Sequence, residues 1–251
     1  MIELRPDQRE AGRRLFLPDR PGPQTGLHVI QTGLGRLHVD RWPEPRVAAA
    51  VAGEDLQLAG DAAAIDARDL RSLHFEHGTV DAPEPFVAHL ESAFPGLWRW
   101  PRVIARLNGG KAATPAGIEI RRLGWADARA VGGLHEDIDW ISQTWEGPQG
   151  MAGSGLAFGA FAGKRLVSVA LAFTLGERYD DIGVVTEEPF RRRGINAACV
   201  ARVVDDVARR GRRACWSTSP DNTGSLAVAA RFGAHKHRDD VLYMVGFEQA
   251  P

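Results

Sequence analysis

Apolar residues along the second half of the chain change repeatedly between the alternating spacing of strands and the three-to-four spacing of helices. The pattern predicts a strand, two helices, three strands, a helix, a strand, a helix and a last strand. Short glycine-containing turns between the three consecutive strands indicate antiparallel pairing, and the later strand, helix and strand indicate a crossover. The order therefore predicts a mixed α/β sheet. The predicted elements span residues 118–123, 126–134, 136–145, 156–162, 166–174, 179–186, 195–210, 213–217, 221–232 and 241–247.

The first half of the chain has a weaker pattern. Residues 27–40 and 55–59 are predicted to be strands, and residues 45–53 and 85–94 are predicted to be helices. The helix at 85–94 has the clearest signal, because its apolar residues repeat at helical spacing and a proline occupies its first turn.

A segment rich in small residues separates the two halves. Residues 108–117 contain three glycines, three alanines and a proline, which is typical of a linker. The chain has 251 residues, more than the ~100–200 of a usual single domain. We therefore predict an amino-terminal α/β domain, 1–112, and a second domain, 113–251. The amino-terminal domain has no role that its sequence indicates, and one alternative is that it is a degenerate copy of the second domain's fold.

Composition and charge narrow the class of protein. Apolar residues make up 44% and charged residues 25%, as in ordinary globular proteins, and the net charge is −1. The charge balance argues against a nucleic-acid partner, and the lack of a long apolar stretch argues against a membrane span or signal peptide. We expect a cytoplasmic protein. The two cysteines, Cys199 and Cys215, are too few for a disulfide framework and are predicted to be buried apolar residues.

Candidate chemistry is concentrated after the strand 179–186. Three arginines, Arg191, Arg192 and Arg193, precede Gly194, and a long amphipathic helix begins directly afterwards. Free backbone N–H groups at a helix start and nearby arginines favour a phosphate or another anion. No other glycine-rich segment has a complete nucleotide-binding pattern. His235 and His237 lack metal-ligand partners and are predicted to be exposed loop residues, so no metal site is expected.

This turn resembles the R/Q-x-x-G-x-G/A signature of the GNAT superfamily of N-acetyltransferases, in the form Arg191-x-x-Gly194-x-Asn196 followed by Ala197. The resemblance extends to Asn222-x-x-Ser225 and to Arg231-Phe232-Gly233, and it covers about residues 117–247. The chain departs from the pattern in three places: Asn196 replaces the second glycine, Ala229 stands where many members carry a tyrosine acid, and Ala234 follows Gly233 where Phe is common.

The resemblance implies the acyl-CoA N-acyltransferase fold for residues 113–251 and acetyl-CoA as co-substrate. It further implies direct attack of a primary amine on the thioester, with the amine belonging to a small molecule or a protein and with a homodimer as one assembly to consider. Trp140 lies in the segment that helps to form the acceptor site in that family. The implied cofactor-binding residues are Val184, Val185, Thr186, Arg191, Arg192, Arg193, Gly194, Ile195, Asn196, Ala197, Asn222 and Ser225.

Two residues are nominated for proton transfer. Asp181 is the candidate base, because aspartate is disfavoured inside a strand and family members often carry a carboxylate near this position. Its alternative is a plain carboxylate at a hairpin end, with Glu187 or Glu188 as the base. Tyr243 is the candidate acid. A different class of function also fits the sequence: a non-catalytic acyl-CoA-binding sensor, in which the missing tyrosine at Ala229 is meaningful.

Overall fold

The structure of the protein is a computed structural model, and it describes residues 1–247. One sheet of twelve strands runs through the whole of this part of the chain. The strands are β1 (Ile2–Glu3), β2 (Arg36–Val39), β3 (Val47–Ala52), β4 (Asp55–Gly60), β5 (Gly78–Asp81), β6 (Trp98–Arg106), β7 (Ile118–Arg122), β8 (Ala157–Ala162), β9 (Arg165–Leu175), β10 (Tyr179–Thr186), β11 (Arg213–Thr218) and β12 (His235–Val245).

Thirteen helical segments connect these strands. The α-helices are α1 (Thr25–Thr32), α2 (Ala67–Arg71), α3 (Val87–Ala93), α4 (Ala128–Val131), α5 (Pro148–Gly153), α6 (Ile195–Arg209) and α7 (Thr223–Arg231). The 3-10 helices are Pro6–Phe16, Ala62–Ala64, Glu84–Phe86, Trp125–Asp127, Glu136–Trp145 and Glu188–Phe190. No helix of the described residues is long and apolar enough to cross a membrane.

The strand order is nearly symmetric about the middle of the sheet. It runs β1-β2-β3-β4-β5-β12-β6-β11-β10-β9-β8-β7. Each half of the chain contributes six strands, and the first five strands of each half lie side by side in chain order. The sixth strand of each half, β6 or β12, is added to the five strands of the other half. β6 pairs with β11 of the other half, and β12 pairs with β5.

This exchange bears on how the chain divides into domains. Residues 108–117 lie in a segment without helix or strand, as a linker would, but β6 precedes that segment and completes the carboxy-terminal part of the sheet. The division into 1–112 and 113–251 stays a prediction. The symmetric strand order favours the alternative in which residues 1–112 are a copy of the same fold.

The predicted elements of the second half are all present in the predicted order, but the structure has one further helix, α5, between the helix at 136–145 and β8, where no helix was predicted. Three details differ. The helix at 136–145 is a 3-10 helix, the last strand begins at residue 235 rather than 241, and residues 246–247 lie beyond its end. His235 and His237 are exposed as predicted, but they belong to β12 and not to a loop.

Two predictions for the first half are wrong. Most of the segment 27–40 is not a strand, because α1 occupies its beginning and Gly33, at φ +76°, ends that helix in the left-handed conformation. The segment 45–53 is a strand, β3, and not a helix. Every residue of β3 is buried between β2 and β4, so burial on both faces of the sheet overrides the helical propensity of its four alanines.

The two faces of the sheet have different covers. Helices α2, α3, α6 and α7 pack on one face, through apolar clusters centred on Phe86 and Phe232. Helix α1 and the 3-10 helix Glu136–Trp145 cover the other face. Both cysteines are buried, which confirms that prediction, and burial raises the pKa of Cys199 to about 12.

One aspartate fastens the amino-terminal half to the turn before β10. The side chain of Asp19, 1% exposed, accepts backbone N–H bonds from Glu177 (3.1 Å), Arg178 (2.8 Å) and Tyr179 (3.1 Å). It also accepts the Nε–H of Arg178 at 3.0 Å. These four charge-assisted bonds fix the turn that starts β10.

We expect Asp19→Ala to lower the free energy of unfolding by about 3 kcal/mol, because it leaves buried N–H groups without acceptors. Urea denaturation measures this change. Asp7→Ala is the control, since Asp7 pairs only with Arg5 and both side chains are about 70% exposed. A loss of less than about 0.5 kcal/mol in Asp19→Ala would contradict the expected role of this residue.

Candidate active site

Strands β10 and β11 separate after three residue pairs. They pair in parallel at Tyr179–Arg213, Asp180–Ala214 and Asp181–Cys215, and there the pairing stops. β10 continues to Thr186 along β9, whereas β11 continues to Thr218 along β6. We call the wedge between the two strands beyond Asp181 and Cys215 the splay. Along the splay, one edge of β10 keeps backbone N–H and C=O groups that no strand within residues 1–247 uses.

The arginine-rich turn lies at the open end of the splay. Arg191 donates its Nε–H to the carbonyl of Thr186, the last residue of β10, at 3.1 Å. Arg192 and Gly194 both adopt positive φ, +61° and +76°, and Gly194 is the N-cap residue of α6. The side chain of Asn196 turns back to accept the N–H of Ala197 at 2.7 Å.

The space above this turn is open. A Cβ atom placed on Gly194 would meet no protein atom within 4 Å. Within residues 1–247, the backbone N–H groups of residues 192–196 have no backbone acceptor, as expected for the first turn of a helix. An anion held here would therefore receive several N–H bonds as well as the positive end of a 15-residue helix.

A surface pocket of about 280 Å³ adjoins Gly194 and collects three cationic side chains. Arg193 comes from the turn, Lys111 from the segment that links the two halves, and Arg231 from the end of α7. In the part of the chain that the structure describes, none of the three has a carboxylate within 4.0 Å. The pocket therefore suits a second anionic group beside the turn.

Asp181 lies where the splay begins, with its side chain on the face opposite α6. It is 8% exposed, and its Oδ1 lies 3.6 Å from the Sγ of Cys215. Burial raises the pKa of Asp181 to about 7, and the positive charge of Arg102 partly opposes that rise. A carboxyl group with this pKa can accept a proton near neutral pH and release it again.

Charged side chains from both halves of the chain act on the pKa of Asp181, which Arg102 lowers and Asp55 raises. Asp55, at the start of β4, accepts a hydrogen bond from the hydroxyl of Thr79 and one from Nε2 of Gln143 at 3.4 Å. Burial raises the pKa of Asp55 to about 6. Arg102, on β6, donates its Nε–H to Ser217 at 3.2 Å, and burial lowers its pKa to about 10. We call Asp55, Arg102, Asp181 and Ser217 the interhalf cluster.

The other nominated catalytic residues lie apart from Asp181. Tyr243 packs in the core on the α3 face and pairs with Val80. It lies three strands away from β10, or about 14 Å at ~4.8 Å per strand. Glu187 is buried and accepts bonds from the N–H of His135 and from Arg165, and Glu188 is exposed. Asp181 thus remains the one nominated acid–base residue at the splay.

The remaining predicted site residues are distributed around the splay. Val184 faces α6 and Val185 faces the opposite side. The N–H of Glu187 bonds to Val167 of β9, so Val185, two residues earlier, also turns its backbone groups to β9, whereas Val184 turns its backbone groups to the splay. The hydroxyl of Thr186 lies 2.8 Å from that of Ser168. Trp140 is 40% exposed and stacks edge-on against Phe173, which bulges from β9 beside Asp181. Its position keeps it a candidate for the acceptor side.

Asn222 and Ser225 already have partners within the protein. The side chain of Asn222 accepts the N–H of Ser225 at 2.9 Å and caps α7, and the hydroxyl of Ser225 accepts the indole N–H of Trp216 at 3.0 Å. These bonds position α7 across the splay from α6. A role of the two residues in cofactor binding stays a prediction.

Sequence reasoning missed three polar residues of this region, Lys111, Asp55 and Arg102, all of which precede residue 113. It placed Arg231 in the segment Arg231-Phe232-Gly233 but assigned it no role in anion binding. A weak signal for the strand that carries Arg102 was available, because residues 98–100 alternate tryptophan and arginine and residues 103–105 are apolar, although Pro101 argues against a strand interior. Among residues 1–247, no group of three His, Cys, Asp or Glu side chains could hold a metal ion.

Comparison with known proteins agrees with this geometry. A family model described as GNAT acetyltransferase matches residues 103–243, so the match begins within β6. A Streptomyces virginiae protein, described as an uncharacterized N-acetyltransferase in the mutA 5′ region, is 34% identical over 214 residues, which are 84% of this chain and 90% of that protein.

Two solved structures share the fold. A GCN5-related N-acetyltransferase-like protein from Streptococcus suis superposes with a TM-score of 0.72 at 18% identity, over 95% of this chain and 98% of its own. A tandem GNAT protein from the clavulanic acid biosynthesis pathway superposes with a TM-score of 0.60 at 14% identity, over 99% of both chains. Together with the splay and the turn at its open end, these matches show that the chain belongs to the GNAT acetyltransferase family and is an acyltransferase.

Proposed function

We propose that the protein transfers an acetyl group from acetyl-CoA to a primary amine by direct attack of the amine on the thioester. One observation carries the proposal: the free edge of β10 leads from the open turn at Gly194 to the carboxylate of Asp181. This arrangement provides a place for each part of the donor and a proton acceptor at the far end.

The position of the donor follows from the splay. The diphosphate would bind at residues 192–196, with Lys111, Arg193 and Arg231 available to the remaining phosphate. The extended arm would pair with β10 as an added strand does, from Thr186 towards Ile182. The five residue steps from Thr186 to Asp181 cover about 17 Å at ~3.3 Å per residue, so the acyl end would reach the narrow end of the splay.

The amino-terminal half has no comparable anion site. The residues after β4 include Asp61 and Asp66 where the carboxy-terminal half has three arginines after β10. Asp66 instead caps α2 through the N–H groups of Arg68 and Asp69. The donor therefore belongs to the carboxy-terminal splay.

The proposed reaction needs no covalent enzyme intermediate. The amine nitrogen attacks the thioester carbonyl carbon, an N–C bond forms, and the C–S bond breaks as the tetrahedral intermediate collapses. Asp181 accepts the proton that the amine loses, and that proton then returns to the departing sulfur, so that the products are an amide and the free thiol of CoA. Free N–H groups on the β10 edge would stabilise the oxyanion.

An assay of CoA thiol release against a panel of amines tests the proposal. We expect thiol release that requires an amine, with mass spectrometry showing an addition of one acetyl group to that amine. Binding of acetyl-CoA without turnover on any amine would contradict the proposed acetyltransferase activity. It would favour the alternative, a non-catalytic acyl-CoA-binding sensor.

A separate prediction concerns the affinity for acetyl-CoA and rests on the pocket beside the turn. We expect the double variant Lys111→Ala, Arg231→Ala to bind acetyl-CoA about 10-fold or more weakly in calorimetry, because it removes two unpaired cations from the proposed phosphate site. The affinity should also become less sensitive to salt. Lys164→Ala is the control, since Lys164 is exposed in the β8–β9 hairpin. Unchanged affinity in the double variant would remove these residues from the site.

A further inference from the structure

We infer that the acceptor is a small molecule that carries a carboxylate as well as the reacting primary amine, and that Arg102 of the interhalf cluster binds this carboxylate. The inference rests on the proposed function, because it concerns the acceptor of that reaction. It assigns a substrate-binding role to a residue of the amino-terminal half that no family signature includes.

Arg102 is held in place but not neutralised. Its guanidinium lies 4.1 Å from the centre of the Trp100 ring, and its Nε–H donates to the hydroxyl of Ser217 at 3.2 Å. Across the described residues 1–247, no carboxylate lies within 4.0 Å of it. The terminal N–H groups of Arg102 are therefore free, and a guanidinium fixed in this way presents them as a fork to a planar anion.

The side chains around Arg102 favour a ligand that carries both a positive and a negative charge. Asp181, Asp55 and, more weakly, Asp221 lie near enough to raise the pKa of Arg102, yet none of the three lies within 4.0 Å of it. Arg102 would attract a simple anion, but the carboxylates of Asp181 and Asp55 would repel it. These carboxylates would attract a simple protonated amine, but Arg102 would repel it. A zwitterion satisfies both signs, with its amine at Asp181 and its carboxylate at Arg102.

Two sets of residues flank the interhalf cluster. Near β11, the N–H of Gly22 lies 3.3 Å from the Sγ of Cys215, so the segment that contains Asp19 and Gly22 packs against that strand. Near β9, Trp140 packs edge-on against Phe173, the residue that bulges beside Asp181.

In the register of the sheet, Asp181 lies level with Cys215 and Arg106, so Arg102 lies four residues further along β6, about 13 Å at ~3.3 Å per residue. The guanidinium is nevertheless near enough to oppose the rise in the pKa of Asp181, so one small amino acid can present its amine to Asp181 and its carboxylate to Arg102.

The test compares matched acceptors and matched variants of the full-length protein. Amino acids are assayed beside their amides and beside amines that lack the carboxylate. We expect the wild-type protein to prefer the free carboxylate, and Arg102→Gln to lower kcat/KM for amino acids by about 30-fold or more, mainly through KM. Because loss of Arg102 also raises the pKa of Asp181, the assays are run at pH 9, where activity on amines without a carboxylate should change little. Arg99→Gln is the control, because Arg99 lies on the same strand but is exposed near Glu91.

Ser217→Ala provides a milder second variant if Arg102→Gln is unstable, because it removes only the bond that orients the guanidinium. We expect a smaller loss of kcat/KM for carboxylate-bearing acceptors, again mainly through a higher KM. The affinity for acetyl-CoA should be unchanged.

Two results would overturn the inference. One is equal use of amino acids and their amides by the wild-type protein, and the other is an equal loss for all acceptors in Arg102→Gln with acetyl-CoA affinity unchanged. Both leave the proposed function intact. If no amine is acetylated at all, the proposed function itself fails, and the inference fails with it.

Discussion

Asp181→Asn is expected to lower turnover by about 100-fold or more while acetyl-CoA affinity barely changes. The substitution keeps the shape of the side chain but removes the group that accepts the amine proton, and loss of a general base typically costs ~10²–10⁴ in rate. Steady-state kinetics and calorimetry on the same preparation measure the two effects. Glu188→Gln is the matched control, because Glu188 is an exposed carboxylate near the other end of β10 and should have wild-type turnover.

The pH dependence gives an independent signature of the same residue. Burial raises the pKa of Asp181 to about 7, so the wild-type rate should rise with pH through about 7 as the carboxyl group loses its proton. In Asp181→Asn this step should disappear and leave only the rise caused by deprotonation of the amine. Wild-type turnover with an unaltered pH profile in the variant would transfer the role to another group or to solvent.

The stability of the wild-type protein should fall as pH rises from about 4 to about 7, whereas its rate should rise with pH through about 7. The unfolded chain ionises Asp181 near pH 4, whereas the folded protein keeps its proton up to about pH 7. Between these values the folded state binds more protons, so this residue makes the protein less stable as pH rises from about 4 to about 7. Asp181→Asn should therefore have a higher Tm than the wild type at pH 8 and a similar Tm at pH 4. A higher Tm together with lost turnover would exclude unfolding as the cause of inactivity.

Gly194→Val is expected to abolish the rise in Tm that acetyl-CoA causes in the wild-type protein. The side chain would point into the open space above the turn, where the diphosphate is proposed to bind, and would also strain a residue at φ +76°. Thermal denaturation with and without acetyl-CoA measures the effect.

Gly211→Val separates strain from loss of the site. Gly211 has the same φ of +76° and no protein atom within 4 Å of a built Cβ, but it follows the opposite end of α6, about 22 Å away at ~1.5 Å per residue. Both variants should lose similar stability without ligand, and only Gly194→Val should lose the response to acetyl-CoA. Equal responses in the two variants would refute the anion site.

The second half of the fold was predictable from sequence because its elements have clear periodicity and clear ends. The helix after Gly194 has nine buried residues along one face, and the strands around it are bounded by glycine turns. The first half was less predictable. In β3, four alanines have no strong strand preference of their own, and only the neighbouring strands make this segment extended.

The candidate site was predictable where a single segment builds it. The turn at Arg191–Gly194 and the strand that contains Asp181 are continuous in sequence, so their relation is local. Lys111 and Arg102 reach the site only because β6 inserts between β11 and β12. Local patterns contain no information about such an exchange of strands, and these residues could be assigned only from the assembled sheet.

The most direct test of the central claim is a crystal structure of the protein with bound acetyl-CoA. We predict that the diphosphate accepts hydrogen bonds from backbone N–H groups of residues 192–196, that the arm pairs with the splay edge of β10, and that the thioester lies beside Asp181. A structure in which acetyl-CoA binds outside the splay, or in which its acyl end points away from Asp181, would contradict the account.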